Sequence, residues 1–261
     1  MSYTGGRPAG RRPMDQNTKR TLWIVGGAVL LIALVAHHNI TREEIIFFLV
    51  VIPSIILHEV SHGWVARFFG DDTAARAGRL SLNPLVHVDP VGTLIVPAVM
   101  VIASAGVFGW AKPVPVNTAR LRSPRNQGVL VSLAGPATNV VLAAVAAVVF
   151  IKFSRPNLPA GPIFVPGSFS LPAEIIYLFG LANVGLAIFN MIPLPPLDGS
   201  VLFERLLPAR YWPTYLRIRP YTMAIIMGLV LLNFYLQSHG PITVAFAHVD
   251  NWWAHLLVGG N

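Results

Sequence analysis

Long apolar runs alternate along the chain with short polar or Pro/Gly-rich breaks. The runs occupy residues 21–36, 45–66, about 93–110, 128–151, 174–193 and 221–237. A helix rises ~1.5 Å per residue and needs roughly 20 apolar residues to cross a hydrocarbon core of ~30 Å. The pattern therefore predicts an all-α polytopic membrane protein with about five to six transmembrane helices. Residues 1–20 are rich in Gly, Pro and Arg and are expected to be a disordered basic tail. The run at 21–36 follows a basic stretch, as in a signal peptide, but no small-residue cleavage site closes it, so it is read as an uncleaved first helix. Residues 153–172 form a Pro/Gly-rich loop, and 238–261 carry Trp252 and Trp253 but no Lys or Arg. That last composition suits a non-cytoplasmic interfacial tail. The stretch 21–237 is left as one membrane domain.

Composition agrees with this reading. Of the 261 residues 54% are hydrophobic and 11% charged, against about 25% charged in soluble domains. The formal net charge of +8 raises nucleic acid as a partner. No basic motif interleaved with aromatics supports it, and membrane proteins gather Lys and Arg in cytoplasmic loops. No nucleic-acid partner is expected. The chain has no cysteine, which excludes disulfides and thiolate ligands.

Charge also orders the topology. If 93–110 crossed fully, with the N-terminus inside, ten basic residues would lie inside and nine outside. If that run dips in and returns, sixteen lie inside and three outside. The positive-inside rule selects the second arrangement: five crossings and a re-entrant, partly extended hairpin between the second helix and the next. Backbone of that kind survives at membrane depth only under protein or beside a water-filled cavity, and residues 112–117 ("KPVPVN") are candidates for a strand there.

One run contains what such a segment ought to exclude. Residues 45–57 are nearly all apolar, and then come His58, Glu59 and His62. On a helix, residues four apart share a face one turn from each other, so both imidazoles can reach one tetrahedral Zn²⁺. Glu59 stands off that stripe, placed to act as general base on a water that the metal acidifies. Ionisable groups inside a membrane are costly and functional by default. Thirteen residues precede His58 in the run; at ~1.5 Å each it lies ~20 Å in, within the cytoplasmic half.

A catalytic zinc site takes three protein ligands. Of the eleven acidic residues, all but Asp198 fall in tails, at interfaces, in loops or at a helix start, apart from Glu59 itself. Asp198 lies in "NMIPLPPLDGS", where Pro193, Pro195 and Pro196 break the fifth run and Gly199 permits a turn. The re-entrant topology puts Asp198 on the same side as His58.

H-E-x-x-H at 58–62 paired with N-x-x-P-x-P-x-L-D-G at 190–199 resembles the site-2 protease family of intramembrane zinc metalloproteases. "GRLSLNPLVHVDPVGTL" (78–94), "FGWAKPVPVN" (108–117) and "LAGPATN" (133–139) resemble its compact bacterial type without PDZ or CBS domains. The resemblance spans most of 45–205. It implies that His58, His62 and Asp198 hold zinc, that Glu59 is the base, and that the reaction cuts a transmembrane helix. With the charge split above, the expectation is a multi-pass protein of the cell membrane, with its N-terminus and active-site opening cytoplasmic. The substrate would be a single-pass membrane protein such as an anti-sigma factor or a membrane-tethered regulator. Asn139 in the fourth run is either an interhelical hydrogen-bonding group or a donor to substrate backbone or the oxyanion; its position in the family favours the donor. His87 is either an ordinary loop histidine or a group that approaches the zinc or gates substrate entry. Gly135 and Pro136 are expected to allow close packing or a kink, and Asn190 to be structural. The rival readings are a zinc or proton transporter with the same ligands, and a helix-binding scaffold without catalysis.

Overall fold

The computed structural model describes residues 25–27, 41–96, 109–154, 169–236 and 239–258. The expectations for the tail 1–20, nearly all of the first run and residues 97–108 lie outside the described residues. Helix α1 spans Arg42–Phe68. Its start is fixed by Thr41, whose Oγ1 accepts the Glu44 N–H at 3.2 Å while Glu44 accepts the Thr41 N–H at 2.8 Å. This reciprocal pair satisfies two of the donors that a helix N-terminus leaves open. Helix α2, Pro124–Val149, opens on a proline, whose missing N–H costs nothing at that position. It runs on into a wider turn over Phe150–Ser154. Helix α3 is Leu171–Asn190 and α4 is Gly199–Leu206. Then come α5 (Trp212–Ile218), α6 (Thr222–Leu236) and α7 (Pro241–Val258).

Among the described residues, four helices are long and apolar enough to cross a membrane: Arg42–Phe68, Pro124–Ser154, Leu171–Asn190 and Trp212–Asn233. They coincide with the second, fourth, fifth and sixth apolar runs, and the chain is an all-α polytopic membrane protein. No strand is formed among the described residues; 109–117 run as irregular backbone, so "KPVPVN" has no strand partner there.

Helices α1, α2 and α3 pack against one another. Their core is layered. A large apolar cluster contains Ile46, Val50, Ala143, Ala146, Phe150, Tyr177 and Leu181. A smaller one holds Ala66, Leu121 and Val131. Along α1 and α2 the buried polar side chains of Ser54, His58, His62, Ser132 and Asn139 lie between these clusters, and Asn183 on α3 is buried as well. Small residues let the helices approach closely, which is the main source of helix association where lipid removes the hydrophobic drive.

Residues 238–261, read as an interfacial tail, contain α7, which docks on α3. Gly180 makes room for the Trp253 indole, which a β-carbon there would strike. Trp253 Nε1 donates to the Tyr177 carbonyl at 3.2 Å, and the Tyr177 hydroxyl donates to Asp250 at 2.6 Å. Apolar content alone gave no reason to place a packed helix there.

The described residues 88–96 and 109–110 belong to a separate compact unit. Within it Asp89 accepts from the N–H groups of Val91 and Gly92 and starts a turn over Pro90–Ile95. The Trp110 N–H donates to the Gly92 carbonyl at 3.1 Å, and the Thr93 hydroxyl donates to the Trp110 carbonyl at 2.9 Å. The two ends of the third apolar run are thus hydrogen-bonded to each other.

Candidate metal centre

His58 and His62 stand on one face of α1, with ring centroids 4.8 Å apart and planes at 83°. Asp198 faces both: its Oδ2 is 3.1 Å from His58 Nε2 and 3.4 Å from His62 Nε2. The three ligand atoms lie within 4.8 Å of one another. The chain between Asn190 and Gly199 delivers Asp198 by successive tight turns, with Leu194 N bonded to Ile192 O and Leu197 N to Leu194 O, and with a cis Pro195–Pro196 bond. Gly199 is needed here because a β-carbon would run into the Met191 carbonyl. The Asn190 amide turns back to the Leu186 carbonyl at 2.9 Å, a structural role.

Helix α2 touches every one of these groups. The His62 Nδ1–H donates to the Val131 carbonyl at 2.6 Å. His58 Nδ1 meets Asn139 Oδ1 at 2.5 Å. The Ser132 hydroxyl donates to the Asp198 carbonyl at 2.7 Å. Gly135 supplies room, since a β-carbon there would lie 2.5 Å from His58 Nε2. Val131, Ser132, Gly135 and Asn139 follow the one-face spacing of a helix.

This donor set fits a divalent cation. A carbonyl only accepts, so His62 carries its proton on Nδ1 and turns the Nε2 lone pair toward Asp198. His58 does the same when its Nδ1–H donates to Asn139. Asp198 Oδ2 is buried with no hydrogen-bond partner. Two lone pairs and a carboxylate oxygen therefore converge without a shared proton, an arrangement that a cation resolves. Two nitrogens and one oxygen match the ligand set of a catalytic zinc site.

Glu59 lies next to the cluster, partly buried, and its Oε2 accepts the Val114 N–H at 2.8 Å. Val114 sits in the irregular stretch that sequence alone offered as a strand. Arg79, buried, ties that stretch down: its guanidinium donates to the Val86 carbonyl and to the Lys112 and Pro113 carbonyls at 2.6 and 3.2 Å. Asp71 holds the other end. Fully buried, it accepts from Thr73 and from the Asn117 N–H at 2.6 Å. Burial by itself pushes the Asp71 carboxyl up; the bonds from Thr73 and Asn117 and the Arg120 charge outweigh it and hold the group below its ordinary value.

Two expected site residues stand elsewhere than the sequence suggested. Asn139 is 0% exposed and lies behind His58, with its acceptor oxygen toward the ring and its Nδ2 committed to Asn183 Oδ1 at 2.7 Å. One N–H of its amide thus makes an interhelical bond, the first of its two expected readings, and its oxygen meets His58. His87 is buried rather than on a loop surface: Nε2 donates to the Ser81 carbonyl at 2.8 Å and its own carbonyl accepts from Lys112 N. It is not part of the ligand group.

Ser54, Ser132, Asn183 and Arg79 were not found from the sequence. Asn183 carried a usable signal, an amide inside an apolar run. Ser54 and Ser132 did not, because small hydroxyls are ordinary in membrane helices.

The profile of peptidase family M50 matches residues 46–233, which contain the whole cluster. The Bacillus subtilis protein named "Putative zinc metalloprotease YwhC" is 42% identical over 157 residues, 60% of this chain and 67% of its own length. The Mycolicibacterium smegmatis protein named "Putative zinc metalloprotease Rip2" is 33% identical over 180 residues, 64% of each chain. Its Mycobacterium tuberculosis namesake is 30% identical over 206 residues, 78% of this chain and 74% of its own. The match thus spans about two thirds of the first two relatives' lengths. No solved structure matches. With this profile over most of its length and a two-histidine, one-aspartate centre inside it, the chain belongs to peptidase family M50, the site-2 protease family of zinc metalloproteases.

Proposed function

We propose that this chain is a zinc-dependent endopeptidase that hydrolyses peptide bonds within or beside transmembrane helices of membrane-protein substrates. The observation that carries the reading is the convergence of Asp198 on His58 and His62, beside Glu59, where those three residues stand in a helix long enough to cross a membrane. Zinc bound there supplies Lewis acidity, which lowers the pKa of water and polarises a carbonyl. His58, His62 and Asp198 hold it. Glu59 takes the proton from the attacking water and returns it to the leaving amine. The Val114 N–H holds one Glu59 oxygen and leaves the other for that proton.

A helical substrate shields its scissile carbonyls in i→i−4 bonds, so it must unwind before it is cut. The irregular stretch at 111–117 lies against Glu59 through Val114 and offers main-chain groups with which an unwound segment can pair as an added strand. The orientation we propose has the N-terminus and the site opening in the cytoplasm. Support comes from the sixteen-to-three split of basic residues and from the bonded ends of the third run, as an out-and-back path requires. The substrates we propose are single-pass proteins, such as an anti-sigma factor or a membrane-tethered regulator, whose cytoplasmic part cleavage releases. His87 as a gate remains part of this proposal only; its burial under Ser81 and Lys112 gives it contact with the loop that a gate would move.

The test is cleavage of a co-expressed single-pass reporter with a helix-breaking transmembrane segment, by wild type and by Glu59→Gln. Cleavage by wild type, lost in the variant with zinc retained, is the expected result. Zinc flux into vesicles by a chain that cuts no reporter would replace the peptidase by a transporter.

A further inference from the structure

Behind His58 the structure holds a line of buried amides and a hydroxyl whose direction can be read from its far end. The Phe179 carbonyl on α3 can only accept. Asn183 Nδ2 lies 2.8 Å from it and also donates to Ser54 Oγ at 2.9 Å. Ser54 uses its one proton on the Val50 carbonyl at 2.8 Å, so toward Asn183 it too can only accept. These two bonds fix the Asn183 amide with its oxygen toward α2. That oxygen accepts from Asn139 Nδ2 at 2.7 Å, which turns the Asn139 oxygen to His58. An oxygen there requires a proton on His58 Nδ1. Ser54, Asn139 and Asn183 are all 0% exposed, which closes the line to bulk solvent.

We infer that Ser54, Asn183 and Asn139 form a polarised hydrogen-bond relay that fixes the tautomer of His58, and that Asn139 and Asn183 are positioning residues for the metal centre. The inference rests on the proposal that the centre holds zinc. Its physical content is a competition. A neutral imidazole can carry its proton on either nitrogen. With the proton on Nε2, His58 would donate to Asp198 Oδ2, 3.1 Å away, and two ligands would satisfy each other in place of the metal. Zinc would then have to displace that proton, and its affinity would fall accordingly. The relay disfavours this state, because an Nδ1 lone pair would face the Asn139 oxygen in a dry interior, where unpaired polar groups are costly. His62 needs no such relay, since the Val131 carbonyl performs the same task directly.

The experiment uses the full chain purified in detergent, with zinc affinity measured per folded protein by competition with a chromophoric chelator. Cobalt spectra of the same samples report ligand geometry. Asn139→Leu and Asn183→Leu are expected to weaken zinc roughly 10–100-fold, the range for a lost outer-shell partner. Ser54→Ala, the mildest change, is expected to weaken it less and keeps the test open where a leucine variant does not fold. Asn139→Asp is the rescue. Burial favours its neutral acid, which offers a carbonyl to His58 and a hydroxyl to Asn183, so affinity should stay within about three-fold of wild type.

The inference is overturned if Asn139→Leu and Asn183→Leu bind zinc as wild type does while reporter cleavage is lost in the Asn139 variant alone. That outcome would place Asn139 on the substrate. Wild type that holds no zinc would instead remove the reading beneath the inference, a result distinguishable from the first.

Discussion

Gly135 is the position where the smallest change should do the most specific damage. A β-carbon built there lies 2.5 Å from His58 Nε2 and His58 Cε1 and closer still to His62 Nε2, whereas ordinary contact begins at 3.4 Å. Gly135→Ala must therefore move the two rings or the α2 backbone by roughly 1 Å, while metal sites tolerate about 0.2 Å in ligand distance. The methyl group would occupy the space where the three ligand atoms converge. Zinc affinity should fall by at least about 100-fold.

Stability should move far less. Alanine is favoured over glycine in a helix interior by up to ~1 kcal/mol, and overpacking costs about 1–3 kcal/mol, so the net loss is expected at about 0–2 kcal/mol. The assay pairs zinc content and chelator competition with thermal unfolding in detergent. Wild-type zinc affinity in Gly135→Ala would refute the reasoning, because it would mean that the metal sits away from the face of α2 that Gly135 presents. Equal loss of zinc and of the folded state would refute the separation of site from scaffold.

Other expectations follow from single contacts. Asp71→Asn should destabilise the chain by about 1–3 kcal/mol at neutral pH, since one acceptor becomes a donor facing buried N–H groups. Because the folded Asp71 carboxyl lies below its ordinary value, its stabilisation is complete above the unfolded pKa of about 3.9 and is lost as pH falls through the folded value. Unfolding measured against pH should therefore show the gap between wild type and variant constant from 7 to about 4 and narrowing below. Gly180→Leu should undock α7 by displacing Trp253 from α3, which limited proteolysis of residues 239–258 would reveal; zinc content should remain as in wild type.

How much of this was legible in advance depended on whether a feature is local. The H-E-x-x-H spacing is decided within one helical turn, and the four crossings among the described residues needed only hydropathy, so both were readable. Asp198 was reachable by elimination because eleven acids in a membrane chain leave few choices. Asn139 was legible as a buried polar group with two possible roles, and the sequence could not choose between them. Whether an amide faces substrate or the back of a ligand depends on the rotation of α2 against α1 and α3, which hydropathy does not encode. Arg79 is a buried clamp that the sequence did not mark; no spacing rule relates it to carbonyls more than thirty residues on.

The supports of the centre divide into two sets that share no residue. The ligands are oriented from α2, through Val131, Ser132 and Asn139. The base is oriented from the stretch 112–117, through the Val114 N–H, with Arg79 holding its start and Asp71 its end. Loss of the first set should lower zinc affinity; loss of the second should lower turnover with zinc in place. Arg79→Ala removes three main-chain contacts, and a Glu59 displaced by even ~1 Å from its productive position can lose about 100-fold in rate. We therefore expect Arg79→Ala to cut reporter turnover ten-fold or more, about 1.4 kcal/mol or more in the barrier, at unchanged zinc affinity. Combined with Ser132→Ala, the two effects should stay separate, as perturbations without shared partners do: the double variant should have the zinc affinity of Ser132→Ala and, at saturating zinc, the turnover of Arg79→Ala. A double variant that binds zinc more weakly than Ser132→Ala, or turns over more slowly at saturating zinc than Arg79→Ala, would mean that the stretch and α2 move as one body, and that Glu59 and the three ligands have a common support.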